Sequence, residues 1–120
     1  MAKEIKDIRE RTFEFAVRII KLCQHLDKKP GVPRTLSGQL LRAGTSVGAN
    51  VEEAQAGQSR ADFISKNAIA LKEARESHFW LRLLIAVKIM PESKVADLRD
   101  EAEEIKKILG SIVVSARKRL

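Results

Sequence analysis

Paired carboxylates and two histidines are the residues of this sequence whose types could support acid–base or metal chemistry. A di-metal site in a helical bundle uses the motif Glu-x-x-His on two helices, which places both ligands on one face. Glu76 precedes His78 by two residues instead of three, and no carboxylate stands three residues before His25. We therefore expect no metal site and no cofactor, and we expect Glu73 and Glu76 to form ion pairs with Arg42 or their basic neighbours.

The single cysteine and a short glycine-containing stretch also lack the neighbours that catalysis requires. Cys23 belongs to an apolar stripe, with no basic cluster beside it in the sequence to stabilise a thiolate. Residues 44–48, Gly-Thr-Ser-Val-Gly, lack the spacing and the Gly-Lys-Ser/Thr ending of a P-loop. His78 adjoins an apolar face, which favours a packing role. We therefore expect that the protein is not an enzyme.

Composition narrows the class of protein. The 120 residues, 44% of them hydrophobic, are enough for one domain over residues 1–120 with a buried core. No apolar run approaches the roughly 20 residues that span a bilayer, and the first residues lack the apolar segment of a secretory signal. We expect a cytoplasmic protein without a membrane role. The net charge of +7, concentrated in residues 1–50, favours acidic partners such as nucleic acid.

Helical periodicity runs through every segment between the turn signals at residues 30–33, 57–59 and 91. Asp7 and Ser59 are placed to cap the first and third of these segments. Short connections between four helices predict an all-α fold, an antiparallel up-down-up-down four-helix bundle. The expected helices cover about 7–28, 35–56, 60–90 and 93–119.

The first helix carries more apolar surface than one bundle needs. Beside its main apolar face runs a second row, Phe13, Ala16, Ile20 and Cys23. Surplus apolar surface of this kind indicates contact with another molecule, so we expect a homo-oligomer. The interface candidates are Phe13, Ile20, Cys23 and Trp80.

The second helix is unusually slim because it contains Gly38, Gly44 and Gly48, each costing about 1 kcal/mol relative to alanine. The third helix also has small residues at its middle, so we expect the two backbones to approach each other closely. A loop or kink over 44–48 is the alternative. Polar residues on or beside these faces could hold the register between the two helices or line a pocket; they are Gln39, Ser46, Asn50, Asn67 and Ser77.

Two long motifs carry a family resemblance. Residues 39–54, QLLRAGTSVGANVEEA, and residues 70–81, with ALKEARES and FWL, occur in order, and 11–16, RTFEFA, agrees with them. The chain resembles the bacterial four-helix-bundle proteins named after intervening sequences in 23S ribosomal RNA genes. That resemblance implies a ring-shaped homopentamer. It also implies a relation to the accessory protein of diversity-generating retroelements, which binds nucleic acid and a reverse transcriptase; most members have no assigned activity.

The positive charge and the resemblance together suggest that RNA or DNA, or a protein that carries it, is the partner. The candidate phosphate contacts are Lys21, Lys28, Lys29, Arg34, Arg42, Lys66, Lys72 and Arg75. Lys66 and Lys72 lie on different faces of a helix, so these residues do not share one patch within a monomer. The alternative function is a structural or scaffold oligomer whose charge serves only solubility.

Overall fold

The computed structural model describes residues 7–119. Four helices make up nearly all of this part of the chain, and none of them is long and apolar enough to cross a membrane. Asp7 accepts a hydrogen bond from the Arg9 amide at 2.8 Å, and Ser59 accepts one from the Asp62 amide at 3.0 Å, so both predicted caps are confirmed. The helices are α1 (Ile8–Leu26), α2 (Val32–Gln55), α3 (Arg60–Ala86) and α4 (Glu92–Lys118).

Two helix boundaries differ from the predicted ones by three residues or more, and the others agree within two. α2 begins at Val32 instead of residue 35, because Pro33 is tolerated in its first turn. Amide groups in the first turn have no acceptor within the helix, so the lack of an amide proton in proline costs no hydrogen bond there. α3 ends at Ala86 instead of residue 90. Lys88 takes a left-handed conformation with φ of 62° and ends the helix, and the amide of Ile89 bonds back to the carbonyl of Leu84 at 3.0 Å.

Each helix packs against the helices that precede and follow it, which confirms the up-down-up-down bundle. The contact between α2 and α3 is the most extensive, and α1 closes the bundle against α4 with the least extensive contact. Phe15, Ile19, Leu81 and Ile105 lie in the core with essentially no exposure. The 3–4 spacing of apolar residues therefore predicted the buried faces correctly.

The glycines of α2 face a different neighbour from the one predicted. α2 is a continuous helix through 44–48, so the alternative of a loop there is wrong. A Cβ atom built on Gly44 would lie 2.7 Å from Cγ1 of Ile19, and one built on Gly48 would lie 3.1 Å from the carbonyl oxygen of Thr12. Both glycines therefore permit the close approach of α1, and the prediction that they serve α3 is wrong in this respect.

An ion pair joins the first turn of α1 to α4. Arg11 donates from Nε to Oε2 of Glu101 at 2.6 Å and from Nη2 to Oε1 at 2.9 Å. Both side chains are about three-quarters buried, and the carboxylate bond raises the pKa of Arg11. Above this pair, toward the end that carries the α1–α2 and α3–α4 connections (the upper end), the two helices leave a groove between them.

Candidate nucleic-acid interface

Five basic side chains line the groove between α1 and α4. Three of them, Arg18, Lys21 and His25, are three or four residues apart and therefore share one face of α1. Lys29 follows in the turn after α1, and Lys94 stands in the first turn of α4 on the opposite wall. We call the space bordered by these five residues the basic groove.

The floor of the basic groove is apolar, and its volume is about 560 Å³. Leu22 of α1 and Leu98 of α4 contribute from the two helices, and Ile89 and Met90 contribute from the connection before α4. The left-handed turn at Lys88 brings this connection back over the bundle, so that Met90 is only 8% exposed. The residues that follow the turn at the end of α3 are thus part of the groove lining.

The charges of the basic groove have no partners within the described part of the chain. None of its lining residues is acidic, and no ion pair is formed there by Arg18, Lys21, Lys29 or Lys94. On the same helix as Lys94, by contrast, Arg99 lies 2.9 Å from Glu92. A concentration of unpaired positive charge with an apolar floor is suited to an anionic ligand that also has an apolar part.

The structure brings together some of the predicted phosphate contacts. Lys21 and Lys29 line the basic groove, and Lys28 and Arg34 lie at the same upper end with exposed side chains. The guanidinium of Arg34 donates to the backbone carbonyl of Asp27 at 3.0 Å and 3.2 Å, where it satisfies a carbonyl at the end of α1.

The other predicted contacts lie elsewhere. Arg42 forms ion pairs with Glu73, at 3.3 Å, and with Glu76, as expected for these carboxylates, so it is engaged within the bundle. The remaining three candidates belong to α3 and do not line the basic groove; they are Lys66, Lys72 and Arg75.

Sequence reasoning missed Arg18, His25 and Lys94. For the first two a signal was present, because residues 18, 21, 25 and 29 follow one another at helical spacing. For Lys94 there was none, since its position opposite α1 depends on how the ends of the bundle come together.

The predicted polar register is not formed between helices. Asn67 and Ser77 are buried, but they donate to the carbonyl oxygens of Phe63 and Glu73, one turn earlier in the same helix. Asn50 likewise bonds within α2, to Ser46, and both of these residues are half-buried.

For Gln39 the prediction of burial is wrong: it lies on the exposed face of α2, where it accepts a bond from Arg42 at 3.4 Å. The polar groups of this row are satisfied within their own helices, so they do not set the register of α2 and α3.

The interface candidates divide into two groups. Phe13 is 64% exposed and Ile20 41% exposed, and both line an apolar groove of about 350 Å³ between α1 and α2. Cys23 is 2% exposed and donates a hydrogen bond from Sγ to the carbonyl oxygen of Ser37, so its prediction as an interface residue is wrong. Burial raises the pKa of its thiol. Trp80 is half-buried against the core of its own bundle and donates to Glu76 at 3.0 Å.

His78 of α3 is packed against α4, as its position beside an apolar face predicted. Nε2 of His78 lies 3.4 Å from Oε1 of Glu103, and burial lowers the pKa of the imidazole below its ordinary value. Lys106 holds the same carboxylate at 2.9 Å. Among the residues 7–119, no three His, Cys, Asp or Glu side chains come close enough together to hold a metal ion.

Comparisons with known proteins agree with the resemblance of the motifs. The family model described as 23S rRNA-intervening sequence protein matches residues 4–111. A solved structure from Bacteroides thetaiotaomicron, of a protein of unknown function from the S23 ribosomal protein family, is 43% identical and superimposes with a TM-score of 0.83. The similarity covers 89% of this chain and 98% of that one. No curated protein gives a significant match.

Proposed function

Since this chain belongs to the 23S rRNA-intervening sequence protein family, we propose that it is a non-enzymatic protein that binds nucleic acid through the basic groove. The observation that carries the proposal is the convergence of Arg18, Lys21, His25, Lys29 and Lys94 around one space without an acidic lining residue. The phosphate backbone is the polyanion that such a surface fits best, because each phosphate contacted releases condensed counterions.

The separation of the lysines supports contact with more than one phosphate. Lys21 lies five residues before the end of α1 at Leu26, about 7.5 Å along the helix at ~1.5 Å per residue, and Lys29 follows in the turn beyond that end. Lys94 faces them from α4. Cations distributed along both walls follow a chain of phosphates better than a single small anion, which would leave some of them unpaired.

Binding is tested by fluorescence anisotropy with a labelled structured RNA over a series of salt concentrations. Wild-type affinity is expected to fall steeply as salt rises. Lys21→Glu and Lys94→Glu are each expected to weaken binding at least tenfold and to reduce the salt dependence. Lys118→Glu makes the same charge change in the last turn of α4, at the opposite end of the bundle, and serves as the control.

Two results would contradict the proposal. One is the absence of binding by the wild type at low salt. The other is equal loss of affinity in Lys118→Glu and in the groove variants, because binding would then depend on total charge and not on the basic groove.

We also propose self-association, on a separate observation: the exposed apolar side chains of Phe13 and Ile20 border the groove between α1 and α2. In water these side chains favour contact with a second copy of the chain. A ring of five is the number that the family resemblance implies. A ring would repeat the basic groove and raise the avidity for a long nucleic acid.

Sedimentation velocity tests the assembly. Phe13→Asp and Ile20→Asp are expected to reduce the oligomer to monomer, whereas Val114→Asp, at an exposed apolar residue of α4, leaves it intact. A wild type that sediments as a monomer would disprove self-association through this surface. An intact oligomer that binds no nucleic acid would instead support the scaffold function.

A further inference from the structure

We infer that the basic groove selects single-stranded nucleic acid over duplex. This inference rests on the proposed function, and it comes from the composition of the floor and not from the charge of the rim. A duplex and a single strand both present phosphates to lysines. They differ in whether bases are free to leave the stack and cover an apolar surface.

The floor provides that apolar surface. Leu22, Ile89, Met90 and Leu98 present hydrocarbon and thioether groups at the bottom of the groove, below the basic rim. The phosphates of a duplex would rest on the rim and leave this floor to water. An unstacked base of a single strand would cover the floor and remove apolar surface from water.

Two planar groups on the rim can hold such a base. The guanidinium of Arg18 and the imidazole of His25 are seven residues apart on the same face of α1, and both line the groove. Guanidinium and imidazole planes are surfaces on which unpaired bases stack in RNA-binding proteins. Lys21 lies between them along the helix and is placed to contact the phosphate of the nucleotide whose base is held.

The size of the space agrees with this use. A volume of about 560 Å³ falls within the range of roughly 300–1,000 Å³ typical of small-molecule sites, and is therefore suited to individual nucleobases. Only part of a long strand would be held this way, and the remaining contacts would be with phosphates.

The experiment compares one labelled strand of about 20 nucleotides, without self-complementarity, free and annealed to its complement. Anisotropy titrations of the full-length protein at equal salt are expected to give a Kd about tenfold lower for the single strand. Lys21→Glu is expected to weaken both complexes, because both use phosphates. Ile89→Ser is expected to weaken the single-strand complex about fivefold and leave the duplex complex unchanged.

Arg18→Lys keeps the charge and removes the planar group, and because Arg18 is exposed the change does not threaten folding. It is expected to weaken single-strand binding with no change in the salt dependence.

The inference is overturned if the duplex binds as tightly as the single strand, or if Arg18→Lys and Ile89→Ser both leave single-strand affinity unchanged. It is also overturned if an oligoglutamate of equal charge displaces the strand at the same concentration as unlabelled strand does, because the ligand would then be an acidic peptide. Binding of neither nucleic acid would instead disprove the proposed function itself. The experiment therefore distinguishes failure of this inference from failure of the proposed function.

Discussion

Gly44 is the residue at which the packing of this bundle is most directly testable. A Cβ atom added there would lie 2.7 Å from Cγ1 and 2.8 Å from Cγ2 of Ile19, a side chain with no exposed surface. Ile19 is β-branched and strongly prefers one rotamer in a helix, so it cannot turn away at low cost. Gly44→Ala must therefore push α1 away from α2 or strain the isoleucine.

The magnitude follows from two opposing contributions. Overpacking a tight core costs about 1–3 kcal/mol, and replacing a helical glycine by alanine returns about 1 kcal/mol. We expect Gly44→Ala to lower the free energy of unfolding by up to about 2 kcal/mol, equivalent to at most roughly 8 °C in Tm for a domain of this size. Gly110→Ala, in α4, is the control: apart from its chain neighbours and the adjoining backbone of α4, no described atom lies within 4 Å of the added Cβ, so a gain of up to ~1 kcal/mol is expected.

Urea denaturation followed by far-UV circular dichroism measures both variants, at one protein concentration because the stability of an oligomer depends on concentration. A double-mutant cycle with Ile19→Ala isolates the contact. That change removes both γ carbons, so Gly44→Ala should lose most of its cost in the Ile19→Ala background. If Gly44→Ala stabilises the wild type as much as Gly110→Ala does, the close approach of α1 to Gly44 is wrong.

Three further changes have defined expected outcomes. Lys88→Gly should raise the free energy of unfolding by about 1 kcal/mol, because glycine adopts the left-handed conformation with φ of 62° at no steric cost. Glu101→Gln should lower it by about 1 kcal/mol by breaking the two-bond ion pair with Arg11. His78→Gln should flatten the decline of stability as pH falls below about 6.5. Burial lowers the pKa of His78, so the unfolded chain takes up that proton more readily than the folded one. Thermal unfolding measures the first two, and denaturation at several pH values measures the third.

For each of these three predictions, a specific result would contradict it. Lys88→Ala retains a Cβ atom, so a gain equal to that of Lys88→Gly would exclude relief of backbone strain as the cause. An unchanged Tm in Glu101→Gln would mean that the contact between α1 and α4 does not depend on the ion pair. Equal pH slopes in wild type and His78→Gln would assign the acid sensitivity to other groups.

The bundle was predictable from sequence because its determinants are local. Helical spacing placed Phe15 and Ile105 in the core, and the side chains of Asp7 and Ser59 cap helices as their residue types predict. The end of α3 was mispredicted because Lys88 is a lysine in a conformation that usually indicates glycine. The backbone conformation at Lys88 is therefore set by the packing of the residues that follow it and not by the intrinsic preference of lysine.

The candidate interface was only half predictable. Lys21 and Lys29 could be chosen as basic residues on one helix, but their common groove needs Lys94 from a helix more than sixty residues later. The role of Gly44 was assigned to the wrong neighbour for the same reason. The small residues of α2 can be read from the sequence. Which helix packs against them depends on the handedness of the bundle, and the spacing of apolar residues does not determine that handedness.

Several departures from local preference lie around the basic groove. Lys88 holds a left-handed backbone just before the floor residue Ile89, and α4 has Pro91 as its N-cap residue and therefore no side-chain cap. Lys94 stands in the first turn of α4, where the helix dipole disfavours a cation. Such departures gather where a protein serves a requirement other than stability. A ligand that brings phosphates to Lys94 and the facing lysines would relieve the repulsion among them. Occupation of the groove should therefore stabilise the packing of α1 against α4, the least extensive helix contact in the bundle.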